Sequence, residues 1–194
     1  MKKRRRIRLN APAVLGFTAV CLIAFVLSLI TGGASDLALF SMYRSPLLSP
    51  MTWLRSVGHV FGHAGWDHLI GNLMYILILG PMLEEKYGSR RLLLIMLTAA
   101  LVTGWLHWLL FPQLRLMGAS GIVFALILLA SVTGSESGDI PLTLILVAVL
   151  YLGQQIYEAV TVQAHISYMA HIAGGLVGGA AGLLLGPRAK PHRF

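Results

Sequence analysis

Charged residues cut this chain into six long uncharged stretches, and no other feature constrains the fold as strongly. The stretches are 9–35, 68–83, 92–114, 116–135, 140–157 and 159–187. Only 11% of the 194 residues are charged and 57% are apolar, whereas soluble domains carry about 25% charged residues. Each bilayer crossing takes roughly 20 apolar residues, so the pattern predicts an all-α fold: a polytopic membrane protein with six transmembrane helices. The expected spans are 11–31, 67–83, 91–110, 120–133, 140–157 and 168–186, with a long first loop at 32–66. One membrane domain then occupies 11–186, between basic tails at 1–10 and 187–194. No room remains for a soluble catalytic domain, so any chemistry lies within or at the edge of the membrane. The single cysteine, Cys21, excludes an intrachain disulfide framework and a cysteine metal cluster.

A net charge of +8 and a pI near 10.2 raise the question of nucleic acid, but that reading needs a basic face on a folded module. The basic residues instead sort by side of the membrane. With an even number of crossings, the N-terminal tail supplies six, the turn after the second span three (Lys86, Arg90, Arg91) and the C-terminal tail three (Arg188, Lys190, Arg193). The other side holds Arg44, Arg55 and Arg115. Twelve against three predicts both termini in the cytosol; the plasma membrane is the expected setting, with the lipid bilayer and not nucleic acid as partner. The apolar run after the basic N-terminus, 11–30, exceeds the roughly 7–15 residues of a signal peptide and reads as an uncleaved anchor.

Two lengths are irregular. Segment 32–66 carries Phe40, Leu47, Leu48, Met51, Trp53 and Trp66, and is expected to lie partly in the interface, where tryptophan is favoured. The fourth span, 120–133, reaches only about 20 Å at 1.5 Å per residue, against a hydrocarbon core of about 30 Å. Its start is therefore expected below the surface. Residues 111–119 would descend into the protein as irregular backbone, which is tolerated at that depth only when buried or lining a wet cavity.

Ser120 opens that short span within Gly118-Ala119-Ser120-Gly121. Free N–H groups at a helix start favour negative charge, so a serine nucleophile there would find part of an oxyanion site ready-made. Equally, Ser120 can be an N-cap and the glycines packing residues. His171 lies inside the sixth span, with Gly174, Gly175, Gly178 and Gly182 following on its own face. If that smooth face receives the fourth span, His171 can act as general base toward Ser120; otherwise it is a histidine hydrogen-bonded within the bundle. At the start of the second span, His68 and Asn72 share a helix face and offer two hydrogen-bond donors suited to an oxyanion. They could instead bond between helices, or His59, His63, Asp67 and His68 could hold a metal. The His-Glu-x-x-His pattern of zinc-protease helices is absent, and neither metal nor cofactor is expected. Glu84, Glu85 and Lys86 read as surface charges of the following turn, Gln154, Gln155, Tyr157 and Glu158 as a polar rim ending the fifth span, and His107 and His165 as structural or interfacial.

Taken together, these motifs resemble the rhomboid family of intramembrane serine proteases over 55–182. The matching residues are His63-x4-His68-x3-Asn72, Glu84-x3-Gly88-Ser89, Gly118-x-Ser120-Gly121 and Ala170-His171-x2-Gly174-x3-Gly178. The resemblance implies a Ser120–His171 dyad with no acidic third member, an oxyanion held by His68, Asn72 and the Ser120 N–H, and a turn shaped by Gly118. It implies cleavage of transmembrane segments of other membrane proteins, with His63, Gly121, Gly174, Gly178, Glu84 and Arg55 in support. Two positions depart from the family pattern. The first loop has Leu54-Arg55 where Trp-Arg is common, with Trp53 shifted by one, and Phe124 stands where many members have a tyrosine stacked on the histidine. Two rivals remain. A non-catalytic relative that binds membrane helices would keep the glycine face without needing the serine and histidine. A small transporter would show paired broken helices in repeated halves, and the Gly-Ala-Ser-Gly start has no counterpart in the other half.

Overall fold

The computed structural model describes residues 9–133, 140–161 and 166–185, with the backbone alone for 151–152, 154–156, 158–161 and 166–167. Both basic tails, but for residues 9 and 10, and His165 fall outside the described residues. The elements are α1 (Pro12–Ile30), α2 (Ala34–Ala38), α3 (Pro50–Gly58) with a 3-10 turn at His59–Phe61, α4 (Trp66–Tyr87), α5 (Ser89–Leu110), α6 (Ser120–Val132), α7 (Leu142–Thr161) and α8 (Ile166–Leu185). Among the described residues there is no strand, and Met42 and Leu116 form an isolated antiparallel bridge. Three helical stretches, Pro12–Ile30, Ser89–Leu110 and Tyr168–Leu185, are long and apolar enough to cross a membrane by length and composition. α6 is a shorter apolar helix of 13 residues.

The core gathers around α6. Ile122, Val123, Ala125, Leu126 and Leu129 are buried against Val14, Phe17, Cys21 and Phe25 of α1, Leu69, Leu73 and Ile76 of α4, and Ile95, Met96 and Ala99 of α5. The outward faces are apolar too: Ile23 and Val26 on α1, Ile70 and Ile78 on α4, and Leu93 and Leu94 on α5 are exposed. A protein buried in lipid carries that pattern, because hydrocarbon and not water meets its surface.

The second expected span, α4, does not stop at 83. It continues to Tyr87, because Glu84 is a buried residue and not a surface charge. Its carboxylate accepts the backbone N–H groups of Ala13 and Val14, each at 3.0 Å, and the Ser89 hydroxyl at 2.6 Å. Two N–H groups of the first turn of α1, which have no partner within their own helix, are thereby satisfied by a negative charge. The turn to α5 shrinks to Gly88, whose φ of 81° a side chain would strain. One carboxylate thus binds the start of α1, the end of α4 and the start of α5. α7 likewise runs past 157 to Thr161, so the positions of Gln154, Gln155 and Glu158 lie inside a helix instead of ending one; their side chains are outside the described residues.

The first loop is built, not slack. Arg55 donates to the Met51 carbonyl and the Tyr43 hydroxyl and lies over the Tyr43 ring. Arg44 donates to the Trp108 carbonyl at 2.9 Å with its guanidinium 4.1 Å from the Trp108 ring centre. Trp53 packs on Trp105 and donates to the Leu47 carbonyl. Trp53 and Trp66 are exposed.

Candidate active site

The site begins with the irregular segment 111–119, which three elements hold. Met42 and Leu116 exchange N–H···O bonds at 2.9 Å each, the His107 imidazole donates to the Leu114 carbonyl at 3.1 Å, and the Gly118 N–H donates to the His59 carbonyl at 2.9 Å. His59 is itself fixed, its imidazole donating to the Ala100 carbonyl at 3.1 Å. Gly118 has φ 121°, and a Cβ there would sit 2.6 Å from the His68 ring and 3.7 Å from the Asn72 amide nitrogen. Only glycine permits this backbone shape and lets His68 and Asn72 lie against it.

Ser120 is half-buried and is the first residue of α6. It is not the N-cap. Ala119 holds that position without a side-chain bond, so capping does not account for the serine.

The glycine face of α8 does receive α6. A Cβ on Gly174 would fall 2.0 Å from the Gly121 carbonyl oxygen, and one on Gly178 would fall 1.9 Å from that of Ala125. Backbone therefore rests on backbone, the close approach that small residues allow between membrane helices. Both contacts advance by four residues on both helices, so α6 and α8 run in the same direction and in register. Thr103 of α5, bonded to the Ala99 carbonyl, backs Gly121 on the other side. His171 lies three residues before Gly174, one turn toward the start of α6. Its ring centre is 4.5 Å from that of Phe124, and Phe124 shares the face of Ser120, four residues on. The ring contact expected at this position is present without a hydroxyl. His171 also lies within electrostatic reach of His68. Gly118, His68 and Asn72 thus lie together, His171 is within electrostatic reach of His68, and Ser120 opens the helix whose Phe124 packs on His171.

Two supporting residues are elsewhere. Glu84 belongs to the helix-end clamp and Arg55 to the first loop. His63 does reach the site, its ring 5.1 Å from His68 and its Nδ1 bonded to the Phe61 carbonyl at 3.1 Å. Burial, with His68 adding to it, pushes the His63 imidazole down to about 4, and burial does the same to His59. Both are neutral near pH 7. The Asn72 amide nitrogen, His63 Nε2 and His59 Nδ1 are buried without a hydrogen-bond partner. Among the described residues no three His, Cys, Asp or Glu side chains converge as a metal ion would require. Sequence reading missed His59 as the holder of Gly118 and Thr103 as the backing of Gly121; the only signal was their position opposite glycines.

Residues 50–188 match the Rhomboid domain. The chain belongs to the rhomboid family. It is 30% identical over 174 residues to the rhomboid protease GlpG of Yersinia pestis (strain Pestoides F), a match covering 86% of this chain and 60% of that protein. It is 27% identical over 171 residues to the rhomboid protease GlpG of Yersinia enterocolitica, with the same shares. The chain therefore spans about 60% of the length of the curated relatives it matches. Family membership and the apolar helices make it an integral membrane protein.

Proposed function

We propose that this rhomboid-family chain is a serine endopeptidase that cuts transmembrane segments of other membrane proteins through a Ser120–His171 dyad and an acyl-enzyme. One observation carries the reading: the in-register backbone contact of α6 with α8, which brings His171 beside the start of α6 on the face of Ser120 and Phe124. The relatives' name, rhomboid protease, agrees with it.

In the proposed reaction His171 takes the Ser120 hydroxyl proton as the oxygen attacks the scissile carbonyl carbon. The resulting oxyanion accepts hydrogen bonds from the Asn72 amide, the His68 imidazole and the N–H groups at the start of α6. The unpartnered Asn72 nitrogen supports that role, because a buried donor without a bond is costly unless a ligand supplies the acceptor. His171 then gives its proton to the leaving amine, and a water, deprotonated by His171, releases the acyl group and restores Ser120. No metal, cofactor or nucleic acid enters this scheme.

The setting we propose is the plasma membrane, with six crossings, the start of α6 recessed within the bilayer and both termini in the cytosol. Support comes from the Glu84 bonds, which hold the start of α1 against the end of α4 and the start of α5, where Lys86, Arg90 and Arg91 lie.

A fluorophosphonate, which phosphonylates activated serines with loss of fluoride, tests the chemistry on the detergent-solubilised full chain. Wild type should label and cut a transmembrane reporter; Ser120→Ala and His171→Ala should do neither, a loss of at least ~10⁴-fold in turnover. Equal labelling of all three, or no labelling of folded wild type, removes the protease reading and leaves a helix-binding relative.

A further inference from the structure

At the far end of α6 from Ser120, the turn between α4 and α5 borders a partly open cavity of about 270 Å³, lined by Tyr87, Gly88, Arg90, Arg91 and Leu94. The Tyr87 hydroxyl lies 3.4 Å from the Thr133 hydroxyl, which places this cavity past the C-terminal end of α6. It is separated from the candidate active site by the helix length, about 20 Å. Among the described residues neither the Arg90 nor the Arg91 guanidinium has a hydrogen-bond or ion-pair partner. Nearby Glu84 cannot neutralise them cheaply, because Ala13, Val14 and Ser89 already occupy its oxygens. The cavity is therefore half of an ion pair.

Its walls also have a direction. Leu94 follows Arg90 by four residues and Arg91 by three, on the same helix face. It is 54% exposed, and Leu97, the next residue along that face, is 41% exposed. A cationic pocket at a helix end thus continues into an apolar strip along α5, a helix apolar enough to cross the membrane.

We propose that this cavity binds an anionic phospholipid, with Arg90 and Arg91 on the phosphodiester oxygens and an acyl chain along Leu94 and Leu97. Guanidinium groups match phosphate oxygens with paired, planar hydrogen bonds, and basic pockets between membrane helices hold lipid headgroups by that chemistry. A free phosphate would satisfy the arginines but leave the apolar strip without purpose. The site stands whether or not Ser120 is catalytic.

Native mass spectrometry of the detergent-solubilised full chain, titrated with phosphatidylglycerol or phosphatidylcholine, reads it directly. Wild type should retain phosphatidylglycerol in preference, and the Arg90→Gln/Arg91→Gln double variant should lose that preference by about tenfold or more. Lys86→Gln, which removes a neighbouring charge outside the cavity, should leave it intact. Should the glutamine variant not fold, Arg90→Lys/Arg91→Lys keeps the charge while removing the planar fork, and should weaken retention by about threefold. Unchanged retention in the arginine variants, or an equal loss from Lys86→Gln, overturns the site. Displacement by millimolar inorganic phosphate as readily as by phosphatidylglycerol overturns the lipid assignment in favour of a free-phosphate site.

Discussion

The two ends of α6 treat buried polar groups in opposite ways. Near Val132 the Glu84 carboxylate is saturated by Ala13, Val14 and Ser89. Near Ser120 the Asn72 nitrogen, His63 Nε2 and His59 Nδ1 are buried with no partner. A missing bond to a buried polar group costs about 1–3 kcal/mol, whereas a made bond to a charge contributes about 1.5–3 kcal/mol. One end is therefore arranged for stability, and the other holds a donor, the Asn72 amide, and two acceptors, the second nitrogens of His59 and His63, open for something that arrives. The serine end can afford its deficit because α6 is fixed along its length by α8.

The comparison is broken most directly at Asn72. Asn72→Ala should lower turnover by about 10²–10³, the usual effect of losing one oxyanion donor, without lowering thermal stability, since it deletes an unmet donor. A fall in melting temperature with turnover unchanged would make Asn72 structural and erase the contrast.

The contact joining the two ends comes next. In Gly178→Ala the new Cβ would lie 1.9 Å from the Ala125 carbonyl oxygen, so backbone must move, at a cost of about 3 kcal/mol. Activity should fall with stability as His171 is displaced. The neighbouring Gly179→Ala meets only the Leu128 Cβ at 3.9 Å and should be neutral or stabilising by up to ~1 kcal/mol. Equal effects in the two variants, read by thermal melting and reporter cleavage, would show that register between α6 and α8 is not what positions the histidine.

At the saturated end, Glu84→Gln should cost about 2 kcal/mol of stability while leaving turnover per folded molecule unchanged. The amide can accept at only one oxygen, so one of the N–H groups of Ala13 and Val14 is left without its partner. A loss of turnover with stability intact would place Glu84 in the catalytic machinery instead.

How far this contrast was legible in the sequence differs between the ends. At the serine end the glycine contacts between α6 and α8 are legible because their signals are local: Gly174 and Gly178 repeat at helical spacing from His171, and Gly118 and Gly121 bracket Ser120. Spacing of that kind survives translation into three dimensions. Glu84 was misread as a surface charge, because its partners Ala13 and Val14 are 71 and 70 residues away and contribute only backbone N–H groups, which no sequence pattern marks. The same holds for His59, which reaches the Ala100 carbonyl and receives the Gly118 N–H. Helices α2 and α3 were folded into one interfacial loop, since five and nine residues are too short for apolar periodicity to show. Side chains bonding to distant backbone are where sequence reasoning loses its grip, and here they hold both the clamp and the segment before Ser120.

The smallest effect concerns the buried imidazoles beside that segment. An unfolded histidine titrates near 6.5, whereas His59 and His63 in the folded protein are pushed down to about 4 by burial. Between these values the unfolded chain binds protons that the folded one refuses, so stability is lost as pH falls from about 6.5 toward 4. The loss is at most ~1.4 kcal/mol per pH unit for each imidazole. Above pH 7 these two groups should contribute no pH dependence. Melting measured between about pH 5 and 7 lies above the ordinary carboxylate range and isolates the histidines. His63→Phe keeps an aromatic ring without a titrating group and should flatten that slope by one imidazole's share, leaving that of His59 and the other buried histidines. A flat wild-type profile, or one in which acid stabilises, would mean that the fold lets these imidazoles take up protons as readily as the unfolded chain does, so that their second nitrogens find partners and the contrast with the clamp narrows to Asn72.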